Sequence, residues 1–424
     1  MSLNLVIGIR CKEEFLLDFN YYFLNHGTHG ATPKVVNAKR SELQLRQDSN
    51  PHRWLTEEIH QEWVENIDAA ARFLKTESEN IMLVPNVTSG VYGVLRKIPF
   101  KTNDAILCNT WTYPKVKTVC SERMASVGGE VITMGIKTPI KSISDVVEMY
   151  CNTLDKHPNI RLAIVDLISC PTATMWPIED IVAECRKHNV LVLVDGAHGP
   201  GHVTLNLNEL GTNGVDFFVA SFYKWMFCQR GCTALYVHPR NYKYVKPPNN
   251  LQNFPEQHSK FLNTGQISYQ MYFLIKTAIE FYESKGGAAV IGLHNRILAD
   301  KAVRMLGERW KTDRFEVPPE MEAPFMRLVR LPSSLCHPKS CSGVELETCD
   351  VLMKELHDRY QIVALIRHIN GGLWVRLSFQ IYNSMEDYER LSRAILEIGQ
   401  RGVLDVYEVG SGEECVGKES DAED

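Results

Sequence analysis

The 424-residue sequence lacks several features that would fix its class at once. No apolar run approaches the roughly 20 residues needed to cross a bilayer. The longest candidates are strand-length stretches such as 190–194, so no membrane partner is expected. Positive charge is not in surplus: 46 Lys and Arg stand against 51 Asp and Glu, a net of −5. Nothing there would neutralise a phosphate backbone, and nucleic acid is not an expected partner. A secretion signal is also missing. Residues 3–9 are apolar, but no basic segment precedes them and Arg10, Lys12, Glu13 and Glu14 follow at once. The expected location is therefore cytoplasmic.

Twelve cysteines are present without a Cys-x-x-Cys pair, which excludes the dense scaffold of a short secreted chain and predicts mostly reduced thiols. Cys336, His337, Cys341 and Cys349 come nearest to a metal cluster, yet their spacings match no common finger and no metal is expected. There is no Gly-x-Gly-x-x-Gly for a dinucleotide, no internal repeat, and no low-complexity tract beyond the acidic tail 410–424.

What is present is an α/β pattern. With 44% apolar residues the chain can bury a large core, and its length predicts a large domain with a smaller appendage. Apolar residues at helical spacing (Ile59, Trp63, Ile67, Ala70, Ala71, Leu74) predict an amphipathic helix over 58–74. Strand-like runs at 81–84, 105–108, 130–134, 162–168, 190–195 and 217–220 are separated mostly by helix-length segments at 114–126, 144–154 and 178–188. Such alternation implies a mainly parallel sheet flanked by helices. Helices at 269–284 and 291–310 follow the Pro- and Asn-rich linker 246–255. Strands at 326–331, 361–366 and 373–379 then alternate with helices at 344–359 and 385–399, a small α/β C-terminal domain. The expected division is a segment 1–40 beside the active site, a large domain 41–265, connecting helices with the small domain over 266–410, and a tail 411–424.

Ligands of open α/β sheets collect at the carboxyl ends of the strands. After 81–84 comes Pro85-Asn86-Val87-Thr88-Ser89-Gly90, where a helix N-terminus could bind phosphate or simply be capped by a hydroxyl. After 190–194 comes Asp195-Gly196-Ala197-His198, whose carboxylate could hold a pyridinium nitrogen protonated or could be a turn aspartate. After 217–220 comes Ser221-Phe222-Tyr223-Lys224-Trp225. Four aromatic residues around Lys224 (Phe222, Tyr223, Trp225, Phe227) favour the neutral amine that a Schiff base requires, although a lysine snorkelling past a strand end has the same appearance. Tyr113, in Thr110-Trp111-Thr112-Tyr113-Pro114, could stack on a cofactor ring. Arg376, within an apolar strand, needs a partner, either a substrate carboxylate or a structural one.

Together with Asn25-His26-Gly27-Thr28-His29-Gly30-Ala31-Thr32-Pro33 and Val375-Arg376-Leu377-Ser378, these motifs resemble the class V aminotransferase family. Within it the chain is similar to the isopenicillin N epimerase-like and carbon–sulfur lyase branch, in the same order over roughly residues 20–394. The resemblance implies the fold type I of enzymes that use pyridoxal 5′-phosphate (PLP), and a homodimer. It implies that Lys224 bonds the cofactor, Asp195 pairs with the pyridine nitrogen, His198 sits near the phenolic oxygen and Tyr113 stacks on the ring. Val87, Thr88 and Ser221 would meet the phosphate. Arg376 would take the carboxylate of an amino-acid substrate, and the loop around Asn25 and His26 would border it.

Three departures accompany the resemblance. Tyr223 stands where relatives often have histidine, Leu167 replaces another histidine, and Gln266 stands where a threonine would contact phosphate across a dimer. The branch implies carbon–sulfur β-elimination from a cysteine-derived substrate. Epimerisation or transamination at the same site, and a PLP-fold protein with lost or altered catalysis, are the alternatives.

Overall fold

The computed structural model describes residues 8–244, 268–335 and 344–401. In chain order the strands are β1 (Tyr22–Phe23), β2 (Ile81–Val84), β3 (Ala105–Asn109), β4 (Glu130–Met134), β5 (Ile160–Asp166), β6 (Leu191–Gly196), β7 (Phe217–Ser221), β8 (Thr233–Val237), β9 (Met326–Arg330), β10 (Ile362–Val363), β11 (Leu365–Ile369) and β12 (Gly372–Ser378). The longer helices are α1 (Lys34–Ser49), α2 (Ile59–Leu74), α3 (Val87–Leu95), α4 (Pro114–Ala125), α5 (Ile143–Lys156), α6 (Ile178–Lys187), α7 (Ile275–Ser284), α8 (Gly287–Trp310), α9 (Val344–Tyr360) and α10 (Met385–Arg401).

The large sheet has seven strands in the order β2-β8-β7-β6-β5-β3-β4. The neighbours from β7 to β4 pair in parallel, and β8 alone runs against its neighbours. This is the mainly parallel sheet that the alternation of strands and helices predicts. Helices cover both of its faces, so the inner strands read as continuous apolar runs rather than alternating ones. Period two still sorts their side chains. Ala163, Val165, Val192, Val194, Phe218 and Ala220 face one core, while Leu162, Ile164, Leu193, Phe217 and Val219 face the other. At the edge, β4 is only partly buried.

β8 has no counterpart in the sequence reading. An antiparallel neighbour needs no crossover helix, and residues 222–232 between β7 and β8 carry none, so the alternation of strand and helix that marks the other strands is missing there. α1 was missed for a different reason: it buries only Val36 and Leu43, too few to print a period.

Beyond the large sheet, β11-β12-β9 form a small antiparallel sheet. It shares a separate core with α8, α9 and α10 that includes Leu298, Trp310, Leu352, Val375, Leu391 and Ile395. α7 packs into the large core through Ile275, Ala278 and Phe281, and α8 carries the chain onward to the small one. The N-terminal segment ties the two together. Tyr22 and Phe23 pair in parallel with Ile362 and Val363, and Leu24 sits in the small core.

Just after β1, Gly30 ends the short helix His26–His29 with φ of 68°. A Cβ built there would stand 2.0 Å from the carbonyl oxygen of Tyr223. Only a glycine allows the N-terminal loop to lie this close to the backbone beside Lys224. Gly30→Ala should therefore destabilise the protein by about 1–3 kcal/mol, because both the left-handed φ and the contact resist a side chain. Urea unfolding measures it, and a midpoint unchanged from wild type would show that the two loops can move apart freely.

Candidate active site

The carboxyl ends of β5, β6 and β7 open into a cavity of about 490 Å³. Its lining includes Val87, Thr88, Tyr113, Asp195, His198, Tyr223 and Lys224, brought together from four separate sequence motifs. Asp166, Cys170 and Thr28 also line it. Ser221 is fully buried at the end of β7, outside that lining, and Asn25, His26 and Arg376 form a buried layer beside it. Gln266 lies outside the described residues, as do Cys336, His337 and Cys341; Cys349 is buried on α9.

Lys224 is presented by a tight loop. The N–H of Phe222 donates to the carbonyl of Cys232 at 3.1 Å, and the N–H of Cys228 donates to that of Phe222 at 3.1 Å. Phe227 adopts a left-handed φ of 61° within it. The proton inventory around the amine then follows from geometry. Trp225 Nε1 can only donate, and it reaches His198 Nδ1 at 3.2 Å. His198 must accept there, so the proton of its neutral ring is on Nε2, which lies 3.1 Å from Lys224 Nζ. That N–H donates to a lone pair which only the uncharged amine possesses. Burial pushes Lys224 below its ordinary value and pushes His198 well below its own, consistent with two neutral partners.

His26 occupies a place different from the substrate side expected of it. Its Nδ1 lies 2.7 Å from the Tyr382 hydroxyl and its Nε2 lies 2.8 Å from the backbone oxygen of Lys224. Both ring nitrogens are engaged in a fully buried setting, so His26 holds the lysine loop from behind. Asn25 does not reach the cavity either, but its Oδ1 accepts from Arg376 Nη2 at 3.1 Å.

Asp195, next to last in β6, lies directly beside Asp166, with which it is in register. Burial raises Asp195, while the N–H of Ala197, 3.0 Å from Oδ1, pulls it back. Asp166 is pushed well above the carboxylate range by burial and by Asp195. It accepts from Thr112 Oγ1 at 3.3 Å. Burial and their mutual proximity disfavour two negative charges here, and a cationic N–H in the cavity would stabilise the carboxylate of Asp195. Across the cavity, Asn86 caps α3 by accepting from the N–H of Ser89 at 2.9 Å. The N–H groups of Val87 and Thr88 have no acceptor among the described residues, which leaves donors for an anion.

Arg376 is completely buried on β12. Its Nη1 donates to the carbonyl of Cys170 at 2.6 Å and to Cys170 Sγ at 3.1 Å, and Nη2 also donates to Thr28 Oγ1. Among the described residues no carboxylate pairs with it, and its Nε has no partner. Cys170 and Asp166 escaped the sequence reading as site residues. The strand-end rule that located Asp195 also covers both, since they stand at and four residues beyond the end of β5. Leu167, the apolar replacement, is buried and faces the core.

Comparison with known proteins identifies the family and the fold. The model of the family described as aminotransferase class-V matches residues 21–391. An L-cysteine desulfhydrase of Arabidopsis thaliana is 27% identical over 408 residues, covering 88% of this chain and 87% of its own. A hercynylcysteine sulfoxide lyase of Schizosaccharomyces pombe is 24% identical over 407 residues, covering 93% and 98%. Among solved structures, a cystine C–S lyase in complex with its product cysteine persulfide superposes with a TM-score of 0.75 at 18% identity, covering 90% of this chain and 98% of its own.

The buried histidines set a pH dependence. Burial lowers His26 from an ordinary 6.5 to about 3, so between those values the unfolded chain binds a proton that the native protein refuses. Stability then rises with pH across that window and is lost as pH falls, at about 1.4 kcal/mol per pH unit for each such proton. His198 and His202 are lowered in the same sense by burial. His26→Gln should reduce the acid-side slope of unfolding free energy by about one proton, measured by urea titrations from pH 6.5 downward. An unchanged slope would show that His26 titrates normally in the folded protein.

Proposed function

Because the chain belongs to the class-V aminotransferase family, we propose that it is a PLP-dependent lyase that breaks the carbon–sulfur bond of a cysteine-derived amino acid. The observation that carries this reading is the hydrogen-bond chain from Trp225 through His198 to the neutral amine of Lys224. A surface or ion-paired lysine would be charged and unable to condense with an aldehyde.

The residues present fit the cofactor. The free N–H groups of Val87 and Thr88 suit its phosphate, with Ser221 and Gln266 as further candidates, and Tyr113 and Tyr223 border the space for its ring. Asp195 suits a protonated pyridine nitrogen, and His198 suits the phenolic oxygen. When bound, PLP supplies an aldehyde for amine exchange and a pyridinium ring that draws electrons from the substrate α-carbon.

The chain's own residues do the rest. Arg376 takes the substrate carboxylate in its fork, while Asn25 and Thr28 orient the guanidinium. His26 keeps the Lys224 backbone in place. Lys224 Nζ removes the α-proton, and the sulfur group departs from the β-carbon. His198 Nε2 holds the amine in its uncharged form before condensation. Asp195, whose Oδ1 accepts from the N–H of Ala197, would hold a protonated ring nitrogen.

The names of the desulfhydrase and sulfoxide lyase relatives favour elimination over epimerisation or transamination. With a cysteine-derived substrate, pyruvate, ammonia and a sulfur product should appear together. A racemised amino acid, a keto acid with retained sulfur, or no turnover would reject the lyase reading. We further infer a cytoplasmic homodimer. The reading draws on the absence of disulfides among the described cysteines and on the exposed apolar side chains Leu16, Phe19 and Tyr92. Sedimentation and cell fractionation test it.

Borohydride reduction of the purified protein should fix the cofactor onto Lys224, as read by peptide mass, and Lys224→Ala should stay folded while losing that label. A label on any other lysine would overturn the assignment. Arg376→Lys keeps the charge but loses the paired geometry, worth about 1.5–3 kcal/mol, so KM for the amino acid should rise roughly tenfold to a hundredfold. The corresponding amine, which has no carboxylate, should be nearly unaffected. If wild type and variant discriminate equally between the two, Arg376 is structural.

A further inference from the structure

Cys170 takes no part in the chemistry above, yet it lines the same cavity as Lys224. Its position is built rather than incidental. Arg376 Nη1 grips both its carbonyl oxygen, at 2.6 Å, and its sulfur, at 3.1 Å. That guanidinium is fully buried, faces no carboxylate among the described residues and leaves Nε without a partner. A buried cation held only by neutral oxygens and a thiol is a place where an anion is stabilised.

The charges facing the sulfur come from several elements. Arg376 on β12 and Arg367 on β11 favour its thiolate. Asp166, also at the end of β5, opposes it when charged. Burial alone would push the thiol up, but the cations outweigh it and hold Cys170 below its ordinary value. Cys151, the other part-exposed cysteine among the described residues, is pushed up by desolvation and by Glu184 and Asp155. The rest of the described cysteines are buried.

We propose that Cys170 is a site of reversible S-thiolation by small disulfides that carry a carboxylate. The thiol gives its proton to solvent and attacks one sulfur of the disulfide. A Cys170–sulfur bond forms as the disulfide bond breaks, and the other half leaves as a thiolate that solvent protonates. Cys170 is oxidised and the departing sulfur is reduced, so no further oxidant is needed. Arg376 selects the reagent by its carboxylate, a step that rests on the reading of Arg376 as a carboxylate anchor. The adduct then fills the place proposed for the substrate carboxylate, closing the site until a thiol reductant removes it.

The test compares three disulfides on the full-length holoenzyme: dithiodiglycolate with two carboxylates, bis(2-hydroxyethyl) disulfide with no charge, and cystamine with two ammonium groups. None of the first two has an amine, so neither can enter the cofactor chemistry. Peptide mass mapping should find the adduct on Cys170, forming at least about tenfold faster with dithiodiglycolate than with the neutral reagent and slowest with cystamine. The preference should shrink at high salt, and dithiothreitol should remove the added mass. In Cys170→Ser, whatever activity remains should be insensitive to dithiodiglycolate. In Arg376→Lys, the carboxylate preference should weaken while a label still forms; the reagent series on wild type stands alone if that variant does not fold. No adduct on Cys170, or equal rates for the charged and neutral reagents, overturns the proposal. Carboxylate-selective labelling in a protein that forms no pyruvate would leave this site standing and end the lyase reading; pyruvate formation with Cys170 unlabelled would do the reverse.

Discussion

The neutrality of one buried amine governs the rest of the site. A lysine with no carboxylate partner cannot stay charged in a low-dielectric pocket without cost, and here His198 removes the need by donating to the nitrogen instead of accepting from it. Trp225 fixes that direction because its indole nitrogen has nothing but a proton to offer. The tautomer of one histidine, set by the residue next to the lysine, thus decides whether the Lys224 amine offers a lone pair. His26 supports the same loop from the other side through the Lys224 carbonyl.

The second constraint is the buried guanidinium of Arg376, which couples the two cores. β12 belongs to the small sheet, while the arginine's partners come from the loop after β5 and from the N-terminal segment. That segment is itself clamped to the end of β12: the N–H of Gly27 donates to Ser378 Oγ at 2.9 Å, and the N–H of Ser378 donates to the carbonyl of Leu24 at 2.9 Å. A shift of the small core would therefore move the proposed carboxylate anchor relative to Lys224. The proposed substrate site draws residues from both cores, so its geometry depends on how tightly the N-terminal strap is held. Gly30 allows that strap to touch the backbone of Tyr223.

Most of the architecture was legible in the chain. Runs such as 190–195 and 217–220 differ from β6 and β7 by a residue or so at each end, because a strand buried on both faces must be apolar throughout. The exceptions have physical causes. β8 follows an antiparallel connection that holds no helix, and α1 exposes too much of itself to show a period. The predicted helix over 269–284 begins with a 3-10 turn, Tyr269–Leu274, before α7, because Phe273 departs from helical dihedrals. The site was legible where a motif follows a strand, as for Asp195, His198 and Lys224.

The sequence by itself determined that a lysine ringed by aromatics and an aspartate would meet at the carboxyl edge of a parallel sheet, because strand order and side-chain period are local properties of the chain. Only the tertiary structure decided what those residues face. His26 and His198 have the same chemistry, yet one ring is spent on a backbone carbonyl and a tyrosine while the other governs the amine. Cys170 and Arg376 are separated by 206 positions and meet at 3.1 Å. No pattern along the chain encodes that encounter, because proton positions, burial and the balance of charges arise only from which distant segments the fold packs against one another.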